Sequence, residues 1–156
     1  MLMRPQQMTI RWVLAVAIIC VLSALSALPA SANPKPTKSK YAEDLVAGFA
    51  VEEGEIFYSV KYHIKDAVPR PVFAVVEFQN PSDRKAPFLV RADLTSGDEL
   101  AVESKPFKAI KNNKNYRVVL KLYADAERTD RIGVHKSKVR FSLPPLLAAQ
   151  VGIELL

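Results

Sequence analysis

Few residues of this chain could do chemistry, and their spacing narrows what that chemistry could be. His63 and His135 are its two histidines. A transition-metal site takes three or four N or S ligands, and past Ala32 the chain offers neither Cys nor Met. The strand assignment below puts the two histidines on different sheets, so no shared metal is expected, and both read as solvent-facing strand residues. There is no G-x-S-x-G elbow and no serine with a base at recognisable spacing, so nucleophilic catalysis lacks its parts. Two acidic clusters remain, "EEGE" (Glu52, Glu53, Glu55) and "DAERTD" (Asp125, Glu127, Asp130). Paired carboxylates can hydrolyse glycosides or hold calcium. These lie in short turns without an aromatic platform, and Arg128 and Arg131 neutralise the second. No catalytic residue and no cofactor is expected, and a hydrolase using the acidic loops is the weakest functional reading.

Binding chemistry is better supplied. Lys105, Lys108, Lys111 and Lys114 fall at every third position. They make a basic rim suited to an anionic ligand or surface polymer. The competing reading is a solvated loop that keeps the chain soluble. No aromatic residue interleaves the lysines for base stacking, and nucleic acid is not an expected partner.

The first residues set the compartment. Arg4 and Arg11 form a basic leader, "VLAVAIICVLSALSAL" (Val13 to Leu28) is apolar and uncharged, and "ASA" ends at Ala32. This is the pattern of a Sec-type bacterial signal peptide cleaved after Ala32, which directs the chain to the periplasm or cell exterior. A retained anchor is the competing reading, with sixteen apolar residues slightly short for a span. Cleavage removes the one Cys, the one Trp and all three Met, so no disulfide contributes to stability. Twenty basic residues then face sixteen acidic ones, a formal charge of +4. That mild excess permits contact with anionic polymers. The remaining length suits one domain with a single core.

Residues 33–44, opening "NPKPTKSK", read as a flexible basic arm. From Leu45 the chain becomes short β-rich runs between turn signals. These are Leu45–Val51, Glu55–Ile64, Val72–Gln79, Phe88–Leu94, Glu99–Lys105, Tyr116–Ala124 and Arg131–Phe141. Period-two alternation assigns their faces. Ile56, Tyr58, Val60, Tyr62 and Ile64 share one face of the second run. Tyr116, Val118, Leu120 and Leu122 share one face of the sixth. The third run is apolar on both faces at its start, as a central strand should be. The seventh breaks parity, since Ile132 and Val134 fit one register and Val139 and Phe141 the other. A bulge near His135 to Lys138 is expected there.

Seven such runs over 45–143 predict an all-β fold, a single immunoglobulin-like seven-strand β-sandwich. Within "IKNNKNYRVVLKLYAD" (Ile110 to Asp125), an apolar residue and a turn precede Tyr116 and an alternating strand. This resembles the corner before strand F of fibronectin type III and related immunoglobulin-like domains. The resemblance implies that the Tyr116 hydroxyl bonds back to backbone near Ile110 to Asn113. The usual core tryptophan and the immunoglobulin disulfide are both missing.

If the third and sixth runs pair, Phe73, Val75, Val119 and Tyr123 neighbour one another on an outward face. That stripe is a candidate protein-binding surface, unless the arm or the tail covers it. The apolar tail over 144–156 suits a short helix from Pro145. It is expected to dock on its own domain, burying Leu146, Leu147, Val151 and Ile153. The functional expectation is a non-enzymatic exported protein that binds an envelope protein partner, or is accessory to an envelope assembly. The alternative is a binder of an anionic ligand through the lysine loop. No membrane span is expected after cleavage.

Overall fold

The computed structural model describes residues 38–156. The expected signal peptide and most of the arm lie outside the described residues. Nine strands and one helix follow in order: β1 Ala42–Glu52, β2 Glu55–Ile64, β3 Val72–Phe78, β4 Phe88–Leu94, β5 Glu99–Glu103, β6 Ala109–Ile110, β7 Lys114–Tyr123, β8 Arg131–Phe141, α1 Pro145–Gln150 and β9 Glu154–Leu155. They form an antiparallel three-stranded sheet β1-β2-β5, an antiparallel four-stranded sheet β4-β3-β7-β8, and a two-stranded parallel pair β6-β9. The architecture is all-β and compatible with a β-sandwich.

Alternation explains why two sheets share one core. Along β2, Ile56, Tyr58, Val60, Tyr62 and Ile64 are all at most 2% exposed, while the residues between them are not buried. Val72, Ala74, Val76 and Phe78 of β3 and Tyr116, Val118, Leu120 and Leu122 of β7 are buried from the other sheet, with Val119 of β7 buried as well on its outer side. Together with Phe49, Leu100, Val102, Val139 and Phe141 they form a single apolar cluster. Phe49 bridges the two sheets, with ring centroids 4.4 Å from Tyr58 and 5.2 Å from Phe141.

Turn chemistry sets the hairpin between β1 and β2. Glu52 pairs with Glu55, leaving Glu53 (φ 50°) and Gly54 (φ 77°) as a two-residue turn. Two consecutive positive φ values match the twist of a tight hairpin, which is why a glycine sits there.

The tyrosine corner expected before the sixth run is present. Tyr116 is buried, its hydroxyl accepts from Lys111 N–H at 2.9 Å and lies 3.1 Å from the Lys111 carbonyl. Asn112 fastens the same corner to the end of β8, through Nδ2 to Leu143 O (2.7 Å) and Oδ1 from Leu143 N–H (2.9 Å).

Two features of the strands differ from expectation. The arm expected to run to residue 44 gives way at Ala42, because Ala42 and Asp44 already point inward and a bulge after Asp44 resets the register. The bulge in β8 lies at Ile132, where Leu122 pairs with Gly133 and Tyr123 with Arg131, rather than at His135 to Lys138. From Gly133 onward the alternation runs unbroken, and this turns His135 and Ser137 inward.

The tail packs on its own domain. Ala148 and Ile153 are buried and β9 pairs with β6, but Leu146 is 77% exposed and Leu147 and Val151 are only partly covered. The helix turns Ala148 inward in place of Leu146.

Candidate functional site

Pairing fixes which side chains share the outer face of the four-stranded sheet. Phe73 sits opposite Tyr123, Val75 opposite Lys121, and Glu77 opposite Val119. The four candidate residues Phe73, Val75, Val119 and Tyr123 therefore do fall on one face, but they do not make an open apolar stripe. Lys121 Nζ is hydrogen-bonded to Glu77 Oε1 through the middle of it. The Arg128 guanidinium lies 5.8 Å from the Phe73 ring centre and is held there by Asp93 at 2.6 Å. Val119 is buried, flanked by Arg117, Lys121 and Lys136, whose aliphatic stems can cover it.

Charge, not apolar area, dominates this face. Its outward strand positions carry Arg91, Arg117, Lys121, Arg131, Lys136, Lys138 and Arg140 against Glu77 and Asp93, seven cations to two carboxylates, a net +5. Among the described residues only Lys121 of these cations is in an ion pair. Lys136, Lys138 and Arg140 run in line along β8, an edge strand, about 6.8 Å apart at the extended rise. Arg117 lies directly opposite Lys138. Like charges in direct cross-strand register oppose folding by roughly 0.2–1 kcal/mol, so this pairing is not explained by stability.

The lysine loop borders the same face. Arg84 and Lys111 stand near Lys114, whose pKa is lowered by loss of solvent first and then by those two neighbouring cations. Lys105 is placed differently, its Nζ 4.8 Å from the Phe88 ring centre. Lys108 is exposed, and its carbonyl accepts from Glu154 N–H at 3.2 Å. The four lysines are thus divided between a ring contact, the tail and the basic corner, and do not converge on one point.

The opposite sheet is the electrostatic reverse. Its outward positions hold Glu43, Glu52, Glu55, Glu99 and Glu103 against Lys61, a net −4 with His63 neutral. Glu43 pairs with Lys38 and Glu99 with Lys61. Glu52, Glu53, Glu55 and Glu103 have no ion-pair partner among the described residues and line an open groove beside Phe57. Again two like charges, Glu52 and Glu55, are in direct register. No group of three or more His, Cys, Asp or Glu among the described residues is arranged to hold a metal ion.

The second acidic cluster folds on itself. Asp125 accepts from Thr129 N–H and Oγ1–H and from Asp130 N–H, bonds that lower its pKa, and Arg128 bends away to Asp93.

No family model matches the chain, and neither a curated protein nor a solved structure is significantly similar to it.

Two features escaped the reading of the sequence. His135, expected at the surface, is 1% exposed, and its Nε2 meets Asp44 Oδ1 at 2.8 Å between the two sheets. Tyr62 packs edge-on to the imidazole at 5.8 Å. Burial raises the Tyr62 pKa, and the Asp44 charge raises it further. Ser137 Oγ eases that shift without reaching hydrogen-bonding geometry. This polar cluster is enclosed in the core, with Asp44, Tyr62, His135 and Ser137 all buried. The cationic row was the other omission. Its signal is plain in "HKSKVRF", where every second residue is basic, but the misplaced bulge hid the fact that all three face one way.

Proposed function

We propose that this chain is a non-enzymatic binding module that takes an anionic polymer on the outer face of β4-β3-β7-β8. The carrying observation is the excess of seven cations over two carboxylates on one sheet face. The Arg117–Lys138 register adds to it, because a charge arrangement that costs stability is one that function rewards. Such a face raises the local concentration of a polyanion and speeds its capture. The basic corner at Arg84, Lys111 and Lys114 extends the track. This moves the anionic-ligand reading from the lysine loop to the sheet. It also ranks that reading above an apolar protein interface, since Arg128 lies over Phe73 and the Glu77–Lys121 pair crosses the stripe, although Leu89 opposite Glu77 stays exposed.

The fold we assign is an immunoglobulin-like sandwich of the fibronectin type III kind. Strand order β1-β2-β5 facing β4-β3-β7-β8 supports it, as does the Tyr116 corner. The leader over 1–32 supports export to the periplasm or cell exterior, where the polymer would be an envelope component.

Lys138→Glu tests the reading. It replaces a like-charge pair with an opposite one across from Arg117, so stability should hold or rise while binding to polyphosphate or dextran sulfate weakens several-fold. Binding of the parent chain should also fall steeply with salt. Unchanged polymer binding by Lys138→Glu paired with Lys136→Glu would overturn the proposal.

A further inference from the structure

The acidic outer face of β1-β2-β5 plays no part in that reading, yet it too holds like charges in direct register. We propose that this face receives the basic face of a second copy of the chain, so that copies stack head to tail. The inference rests on the same basic face as the proposed function and adds a second occupant for it.

Complementarity is the first reason. A face of net +5 and a face of net −4 lie on opposite sides of the same two-sheet body. Glu52, Glu55 and Glu103, without an ion pair among the described residues, meet cations that lack one there too, and each like-charge pair, Glu52–Glu55 and Arg117–Lys138, gains a counter-charge.

Symmetry is the second. A two-fold dimer would set each face against itself, basic on basic or acidic on acidic. Two different faces on one chain give a heterologous contact, which repeats instead of closing after two copies. Every stack therefore ends in one open basic face, available to a polyanion.

Size sets the strength. Three strands about 4.8 Å apart and roughly 30 Å long offer on the order of 450 Å² per copy. The total of about 900 Å² falls below the range of permanent interfaces and suits a weak, reversible contact. An added polyanion competes for the basic face and takes the stack apart.

Sedimentation velocity of the purified chain reads this directly. At about 20 mM salt the weight-average mass should climb with concentration past the dimer. At about 300 mM, where the Debye length is under roughly 6 Å, it should return to monomer. Glu55→Lys with Glu103→Lys should be monomeric in both conditions yet keep polyphosphate binding. Lys136→Glu with Lys138→Glu should be monomeric and lose it. Mixing the two variants should restore association as a one-to-one pair, since the first keeps its basic face at net +5 and the second keeps its acidic face at net −4. A parent chain that stays monomeric at low salt, or a mixture that fails to associate, overturns the stacking. If polymer binding is nevertheless lost in the basic-face variant, the proposed function stands without it. If the parent stacks but binds no polymer, the stacking stands and the proposed function fails.

Discussion

His135 on β8 and Asp44 on β1 meet at 2.8 Å inside the core, the imidazole fully buried and the carboxylate nearly so. The contact joins the edge strands of two different sheets. Breaking a buried pair on one side leaves a desolvated polar or charged group behind, at roughly 3–5 kcal/mol. Asp44→Ala should cost about that much in urea denaturation. Asp44→Leu combined with His135→Phe should recover much of the loss, because apolar replacement of both partners removes the orphan. Losses that simply add would mean that the two side chains do not act as a unit.

The corner at Tyr116 gives a smaller, separate effect. Its hydroxyl serves both the N–H and the carbonyl of Lys111. Tyr116→Phe keeps the ring among Phe49 and Tyr58 and removes only those bonds, so the loss should be about 1–2 kcal/mol. A midpoint unchanged in denaturant would show that the corner contributes nothing.

Alkaline pH should unfold the chain cooperatively. Burial holds the pKa of Tyr58, Tyr62 and Tyr116 above the ordinary value; the charge of Tyr116 adds to the shift at Tyr58, that of Asp44 at Tyr62. With the folded values above the unfolded ones, their contribution is whole below about pH 10 and declines as pH rises past it. Tyrosinate absorbance near 295 nm should therefore appear in step with loss of the far-ultraviolet β signal. Three tyrosines ionising while the sheets stay intact would contradict their burial.

How far the sequence could be read depended on whether one strand carried the information alone. In β2 and β7 alternation named the inward faces, and Tyr58, Tyr62, Tyr116 and Leu120 lie where period two puts them. The Tyr116 corner was legible because an apolar residue, a turn and an alternating strand follow in order. The β8 bulge was not, since its place is set by which residue of β7 each residue meets, and a break in parity says only that a bulge exists. One misplaced bulge then put His135 outside and concealed the facing of Lys136, Lys138 and Arg140. Asp44 was lost likewise: a carboxylate ahead of a bulge looks like the end of an arm until its partner on the other sheet is known. The stripe at Phe73 and Val119 was placed on the right face, but its cover by Arg128 comes from a loop with positive φ, which no strand pattern records.

The tail tests whether the domain is complete without its last turn. Ile153 is 6% exposed, Ala148 is buried, and β9 lends its backbone to β6: Glu154 N–H reaches Lys108 O at 3.2 Å and Leu156 N–H reaches Ile110 O at 3.0 Å. A Cβ at Gly54 would stand 3.2 Å from the Val151 carbonyl, so the β1–β2 hairpin also abuts the tail backbone. Removing residues 146–156 would uncover Ile110, which is fully buried, and leave the β6 backbone without its strand partner. Loss of Ile153 alone should cost about 2–4 kcal/mol on replacement by alanine. Truncation should therefore lower the melting temperature by more than Ile153→Ala and make the chain aggregate on heating. Gly54→Val should act in the same direction, through positive φ as well as the close approach. Leu146→Ser, at an exposed position of α1, should change the melting temperature little. A truncated chain as stable as the parent would mean that the tail only rests on the domain, and Ile153 would then be free to serve another surface.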